Sequence, residues 1–356
     1  MADMSGSKPR CAILVPGMHR SGTSALTRVL GLCGAALPAT LMPPSATTNE
    51  AGFWESQPIV DLHDEVLASL NSSWSDLRPL SSNWFAGVEA GAFRARLSAL
   101  LDSEYGDAEL IVVKDPRLCR LLPLWLPLLE ARGIAACAAL PVRDPREVAA
   151  SLHRRESFAP ARSAAIWLTH LLAAERDSRG LARGFVAYAD LLTDWRGAIA
   201  RLGRSIGQDI GRDLLDRADV AAIDGFLSPG LRHHAVEPDS APALAPWVAT
   251  AWNWASAAAR GETPPPAVLD RLAAIMAPAE AHFGPLVDGL ETDLARALHE
   301  RQHWIDAAVE RYAAIENLRA ELEQVRRHAE TIEQSRMWQA LSPVRSLLHR
   351  VRGGAR

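Results

Sequence analysis

Residues 11–32 read CAILVPGMHRSGTSALTRVLGL, and a change of rhythm inside this stretch decides the fold. Cys11 to Val15 is an unbroken apolar run of strand length. From Gly22 to Leu32 the apolar residues Ala25, Leu26, Val29 and Leu30, with Cys33 beyond, recur at helical spacing. Between them Pro16 to Ser21 forms a loop, and Gly17 and Gly22 let the backbone turn tightly and point N–H groups at an anion. The helix N-terminus adds its own partial positive charge. The stretch reads as a strand–loop–helix phosphate cradle.

Working outward, Leu110 to Val113 is a second short strand that runs into KDPR and a leucine-rich helical stretch. Ile134 to Val142 is a third, entering a helix over Pro145 to Arg155, and Gly184 to Tyr188 is a fourth. Strands alternating with helical patterns predict an α/β fold with a P-loop-like, doubly wound parallel sheet flanked by helices. Ligands of such sheets bind at the carboxyl ends of the strands, where the motifs below fall.

Composition removes several classes of function. Among the 356 residues 48% are apolar and 22% charged, which is ordinary for a globular protein. A formal charge of −4 argues against nucleic acid as a partner, since that needs a basic surface. No segment reaches the length of a membrane span, and the apolar run at Cys11 is too short for a signal-peptide core, which predicts a cytoplasmic protein. Cys11, Cys33, Cys119 and Cys137 stand singly without CxxC spacing and read as reduced packing thiols. His233 and His234 are adjacent but lack further spaced ligands, so no metal is expected. Of the 38 basic residues only Lys8 and Lys114 are lysine, so a surviving lysine marks a place for a compact ammonium.

The loop Gly17-Met18-His19-Arg20-Ser21-Gly22-Thr23-Ser24 is close to the Walker A pattern GxxxxGK[ST], but Thr23 occupies the lysine position. A P-loop NTPase or kinase needs that lysine on the β/γ-phosphates, so this alternative fits less well. With its cation, Arg20, inside the loop, the segment resembles the 5′-phosphosulfate loop of sulfotransferases that use 3′-phosphoadenosine 5′-phosphosulfate (PAPS). The resemblance implies that His19, Arg20, Ser21, Gly22, Thr23 and Ser24 bind the donor, without a metal.

Three further segments carry the same likeness. Leu140-Pro141-Val142-Arg143-Asp144-Pro145, with Ser151 on the following helix, resembles the family's 3′-phosphate site, shared by an Arg and a Ser. Arginine suits that task through its planar fork, although Arg143 could also pair with Asp144 or Glu147. Tyr188, in VAYADLLTDW, resembles a tyrosine segment near the nucleotide, departing from it at Ala189. Lys114-Asp115-Pro116 resembles a strand-end KDP whose lysine reaches the donor, where an ammonium would stabilise the departing phosphate oxygen.

A base must take the acceptor's proton, and Asn49-Glu50-Ala51-Gly52-Phe53-Trp54-Glu55 resembles the segment that supplies it. Glu55 ranks first, with Glu50, Asp61, His63 and Asp64 as competitors. Catalytic roles are thus expected for Glu55, Lys114 and Arg20, with Lys114 and Glu55 at opposite ends of the transferring group. Ser228 and Arg232, in FLSPGLRHH, resemble a loop that closes over the nucleotide.

The proline-rich stretches within 228–246 and 261–266 break the periodicity and bring the catalytic domain, taken as 10–285, to its end. A heptad seam at Ile305, Ala308, Tyr312, Ile315, Leu318, Leu322, Val325, Ala329 and Ile332 predicts a C-terminal coiled-coil extension over 290–335, and with it self-association. Residues 336–356 hold five arginines and no acid, beside Trp338, Leu341, Val344, Leu347 and Leu348. They read as a basic amphipathic tail able to touch the inner face of a membrane. The tail resembles the ends of some bacterial proteins that build surface glycans, which puts a sugar hydroxyl on a lipid-linked or exported polysaccharide first as acceptor, ahead of small-molecule and peptide hydroxyls. An inactive nucleotide-binding assembly protein is the remaining alternative.

Overall fold

The computed structural model describes residues 10–45, 49, 51–227 and 243–353. In chain order its elements are β1 (Cys11–Val15), α1 (Thr23–Leu32), α2 (Gln57–Ser69), α3 (Ser82–Phe85), α4 (Val88–Tyr105), β2 (Leu110–Lys114), α5 (Leu118–Ala131), β3 (Ala135–Val142), α6 (Pro145–Glu156), α7 (Pro160–Asp177) and β4 (Ala182–Ala187). Then follow α8 (Tyr188–Thr193), α9 (Trp195–Ile206), α10 (Gln208–Asp216), α11 (Val220–Phe226), α12 (Pro246–Ala259), α13 (Ala267–Gln334), α14 (Arg336–Ala340) and α15 (Ser342–Gly353).

The four strands pair in parallel in the order β2-β1-β3-β4. Alternation along β1 sends its side chains to two cores. Ile13 and Val15 pack with Leu26, Val29 and Leu30 of α1 and with Ile199 and Leu202 of α9. Ala12 and Leu14 face the other way, onto Leu62 and Val66 of α2, Leu97 of α4 and Trp125 of α5. Helices thus cover both faces, the doubly wound arrangement expected from the sequence. Each large apolar side chain buried there contributes about 1.5–3 kcal/mol against the entropy of ordering the chain. The strand order reverses between β1 and β3, so a crevice opens beyond their carboxyl ends. The loop after β1 and the VRDP turn after β3 therefore flank the same point.

The proline-rich stretches do not close this unit. The chain divides at Met1–Gly284 and Pro285–Arg356. Val248, Ala251 and Trp254 of α12, with Leu269, Leu272 and Met276 of α13, complete a core against Val148 and Leu152 of α6 and Ile166 and Trp167 of α7. Pro246 opens α12, and Pro264 to Pro266 lead directly into α13; a proline at a helix start removes only an N–H that has no intrahelical partner. The long helix accordingly begins at Ala267 rather than near Leu290.

In the second unit, Ile305, Tyr312, Ile315, Leu318, Leu322, Val325 and Ile332 of the expected seam are all exposed. The tail is two helices rather than one, because Ser335 caps α14 by accepting from the Trp338 N–H and a break at Leu341 separates α14 from α15. Arg345 lies 3.9 Å over the Trp338 ring. Among the described residues no helix is long and apolar enough to cross a membrane.

Candidate active site

The loop after β1 is shaped by two positions that tolerate no side chain. Gly22 has φ 90°, and a Cβ there would lie 2.3 Å from a ring carbon of Tyr188. A Cβ on Gly17 would lie 2.4 Å from the Pro141 ring of β3. Arg20 adopts φ 68°, a left-handed conformation that costs a non-glycine residue about 1–3 kcal/mol and concentrates at functional sites. Gly22 caps α1 without a side-chain hydrogen bond, so the amides of its first turn remain open to an anion.

Contacts between the loop and α6 join the two motifs that the sequence placed far apart. Arg20 Nε donates to Ser151 Oγ at 2.7 Å, and Arg143 Nη1 donates to the Arg20 carbonyl at 3.0 Å. The Arg143 guanidinium lies 4.5 Å over the Tyr188 ring, and its Nε donates to Glu147 at 2.9 Å. The ion pair weighed from the sequence therefore exists, and it orients Arg143 across the switch point. Burial, followed by repulsion from Arg155 and Arg143, pulls the Arg20 pKa down to about 10. Crowded guanidiniums of this kind are stabilised by a bound polyanion.

Ser21 faces the other way. Its N–H donates to the Met18 carbonyl at 3.1 Å, and its buried Oγ has no hydrogen-bond partner among the described residues. Thr23 is buried at the helix start, and Ser24 Oγ accepts from Lys114 Nζ at 3.3 Å and from Asn49 Nδ2 at 3.4 Å. His19 stands edge-on to Trp74 with centroids 4.3 Å apart, and Trp74 stacks on Phe158. Burial above all, then Arg155 and Arg117, hold the His19 pKa well below its ordinary value, so the ring is a neutral wall of the site.

Lys114 ends β2, and its ammonium donates to the Phe53 carbonyl at 3.0 Å and forms an ion pair with Glu55. Both side chains are almost fully buried, at 2% and 4% exposure, which is what makes this pair consequential. Burial pushes the Glu55 carboxyl up, and the pull of Lys114 only partly offsets it. The two groups expected at opposite ends of the transferring group thus touch each other here, and the pair has to open for them to act separately.

The competitors for the base are engaged elsewhere. Arg117 holds Asp64 through two bonds of 2.6 and 2.7 Å. His63 Nδ1 lies 2.7 Å from Asp115 Oδ2, while the Trp125 N–H donates to His63 Nε2 at 2.8 Å. Because an indole can only donate, Nε2 accepts and Nδ1 carries the proton. Burial raises the Asp115 carboxyl, but Arg117 and the His63 bond outweigh it and leave the pKa far below the carboxylate range. Asp61 accepts from Gln57 at the surface. Glu50, Ser228, Arg232, His233 and His234 lie outside the described residues.

Sequence reasoning missed the wall formed by Trp74, Phe158 and Arg155, whose guanidinium lies 5.5 Å over Trp74. Trp74 belongs to a loop without periodicity, and only its position is set by distant groups. The buried Arg120 of α5 clasps that loop, donating to Ser72 Oγ at 3.2 Å and to the Arg78 carbonyl at 2.6 Å. No local pattern carries such a contact.

No protein-family model matches the chain, and no curated protein does. Among solved structures it is similar to a sulfotransferase domain from the Synechococcus PCC 7002 olefin synthase, at 19% identity over 78% of this chain and 98% of that one, with a TM-score of 0.38. It is also similar to a sulfotransferase domain from the curacin biosynthetic pathway, at 18% identity over 76% of this chain and 98% of that one, with a TM-score of 0.33.

Proposed function

We propose that this chain is a sulfotransferase that moves a sulfuryl group from PAPS to a sugar hydroxyl. One observation carries the reading: Arg20 of the loop after β1, Arg143 just beyond β3 and Ser151 of α6 meet beside a helix N-terminus that no side chain caps. Such a site offers two anion-binding positions a short distance apart, as a nucleotide with phosphates at both 3′ and 5′ requires. Thr23 in place of the Walker lysine disfavours transfer from a nucleoside triphosphate.

The donor supplies an activated sulfuryl group whose S–O bond to the 5′-phosphate breaks as the acceptor oxygen bonds to sulfur. Arg20 and the first-turn amides of α1 hold the 5′ end, and Arg143 with Ser151 holds the 3′-phosphate. Lys114 stabilises the charge that grows on the departing oxygen. Glu55, once released from Lys114, takes the hydroxyl proton.

Calorimetry tests the nucleotide half of this reading. 3′-Phosphoadenosine 5′-phosphate (PAP) should bind at least tenfold more tightly than AMP, with the gap closing in Arg143→Ala, because each lost charge-assisted contact is worth about 1.5–3 kcal/mol. Equal affinities in the unaltered protein would remove its core.

The second unit has a separate role in this reading. A helix with so many exposed apolar side chains at heptad spacing pairs with a second copy of itself, since a lone amphipathic helix leaves its stripe in water. The tail, with exposed Met337, Leu341, Leu347 and Leu348 among arginines, holds the assembly at the anionic cytoplasmic face of a membrane. Truncation after Gly284 retains Leu269, Leu272 and Met276, so it should leave PAP affinity intact while reducing the protein to a monomer by sedimentation. A truncated protein that stays associated but loses PAP would overturn this division of labour.

A further inference from the structure

Behind the phosphate loop lies a cavity of about 20 Å³, walled by Gly17, Met18 and Ser21 of the loop, Cys119 of α5, and Trp167 and His170 of α7. A single water needs roughly 10–15 Å³ on the same measure, together with two to four polar partners. Two residues of this wall carry buried polar atoms with no hydrogen-bond partner among the described residues, Ser21 Oγ and His170 Nε2. Both side chains belong to fully enclosed residues.

The chemistry of the two atoms is complementary through a water. His170 Nδ1 lies 2.9 Å from the Ile166 carbonyl, which can only accept, so Nδ1 carries the proton and Nε2 is a bare acceptor. Burial, with Arg120 nearby, pulls the His170 pKa down to about 3, so the ring stays neutral across physiological pH. Ser21 has a hydroxyl to donate, and its N–H already closes the loop turn onto Met18. Burial, then Asp115, keeps the Cys119 thiol protonated, which adds a weak donor to the same wall.

We propose that this cavity is an internal water site, in which one water accepts from the Ser21 hydroxyl and donates to His170 Nε2, making His170 a positioning residue for the phosphate loop. The water ties α7 to the back of the loop whose front faces the anion. It also gives Ser21 a role other than the direct ligand contact expected from the sequence. A buried donor and a buried acceptor on the wall of one otherwise apolar cavity are costlier to leave apart than to bridge.

Two measurements on the full chain test this. A crystal structure that orders internal solvent should show one peak about 2.7–3.2 Å from both Ser21 Oγ and His170 Nε2. A dry cavity, or Ser21 Oγ turned to the front of the loop, would overturn the proposal. The second measurement rests on the nucleotide reading. His170→Leu should weaken PAP binding about tenfold, while His170→Gln, which keeps an acceptor, should stay within about threefold. Equal losses in the two would reduce His170 to packing and overturn the positioning role. Should His170→Leu fail to fold, Ser21→Ala removes the other partner and is expected to weaken PAP by the same factor; unchanged affinity there counts against the proposal. If the unaltered chain does not bind PAP, the nucleotide reading fails and the solvent peak alone decides the water.

Discussion

Lys114→Met should lower single-turnover transfer by roughly 10²-fold or more while changing PAP affinity little, because the ammonium acts on charge that exists only as the S–O bond breaks. The same substitution has a structural cost. Lys114 is the cation paired with Glu55 inside the protein, and removing one member of a buried pair destabilises by about 3–5 kcal/mol through the charge left behind. Burial already raises the Glu55 pKa, and losing Lys114 raises it further. A carboxyl whose folded pKa lies above its unfolded value stabilises the fold below the unfolded pKa and loses that contribution as pH rises through the folded one. The melting temperatures of the unaltered protein and Lys114→Met should therefore converge in acid and separate as pH rises. Adding Glu55→Gln to Lys114→Met removes the orphaned charge, so the double variant should regain stability without regaining turnover. A double variant as unstable as the single one would show that the pair contributes through packing. A Lys114→Met enzyme with full turnover would leave the departing oxygen to Arg20 and the loop amides.

How much of this was legible in the sequence depends on the range of each interaction. The β1–loop–α1 unit could be read because its determinants are local: a strand run, two glycines and a helical period, all within residues 11–32. The ends of β2 and β3 were legible for the same reason, and strand alternation with helices implied that they would share one end of the sheet with the end of β1, which lies between them. The pairing of Lys114 with Glu55 was not legible, because the two come from separate segments that only the β1–β2 ladder and the entry to α2 bring together. The inward turn of Ser21 was hidden too. Its neighbours suggested a ligand contact, and only the packing of α7 behind the loop shows a cavity on the other side, where His170 presents a second unpartnered polar atom. At the C-terminus, proline was read as an end where it serves as a beginning. A break in periodicity and a helix N-terminus share that residue, and burial of Leu269, Leu272 and Met276 settles which applies.

Glu55→Gln should slow transfer by about 10²–10⁴-fold with PAP binding nearly unchanged, since the amide keeps the shape of the side chain and removes the base. The effect should depend on pH in a definite direction. Only the ionised carboxylate can accept the hydroxyl proton, so turnover of the unaltered enzyme should rise with pH through the Glu55 pKa. Burial places that pKa above the ordinary carboxylate value, with Lys114 opposing the shift. The acidic limb of the single-turnover profile should accordingly lie above the range of an exposed glutamate, and it should flatten in Glu55→Gln. A fully active variant with the limb intact would move the role elsewhere, and the geometry narrows where. Asp64 is clamped by Arg117, both ring nitrogens of His63 are engaged by Asp115 and Trp125, and Asp61 is bonded to Gln57 at the surface. Glu50, in the same segment as Glu55, would then be the base, and Glu50→Gln rather than any change on α2 should abolish the limb.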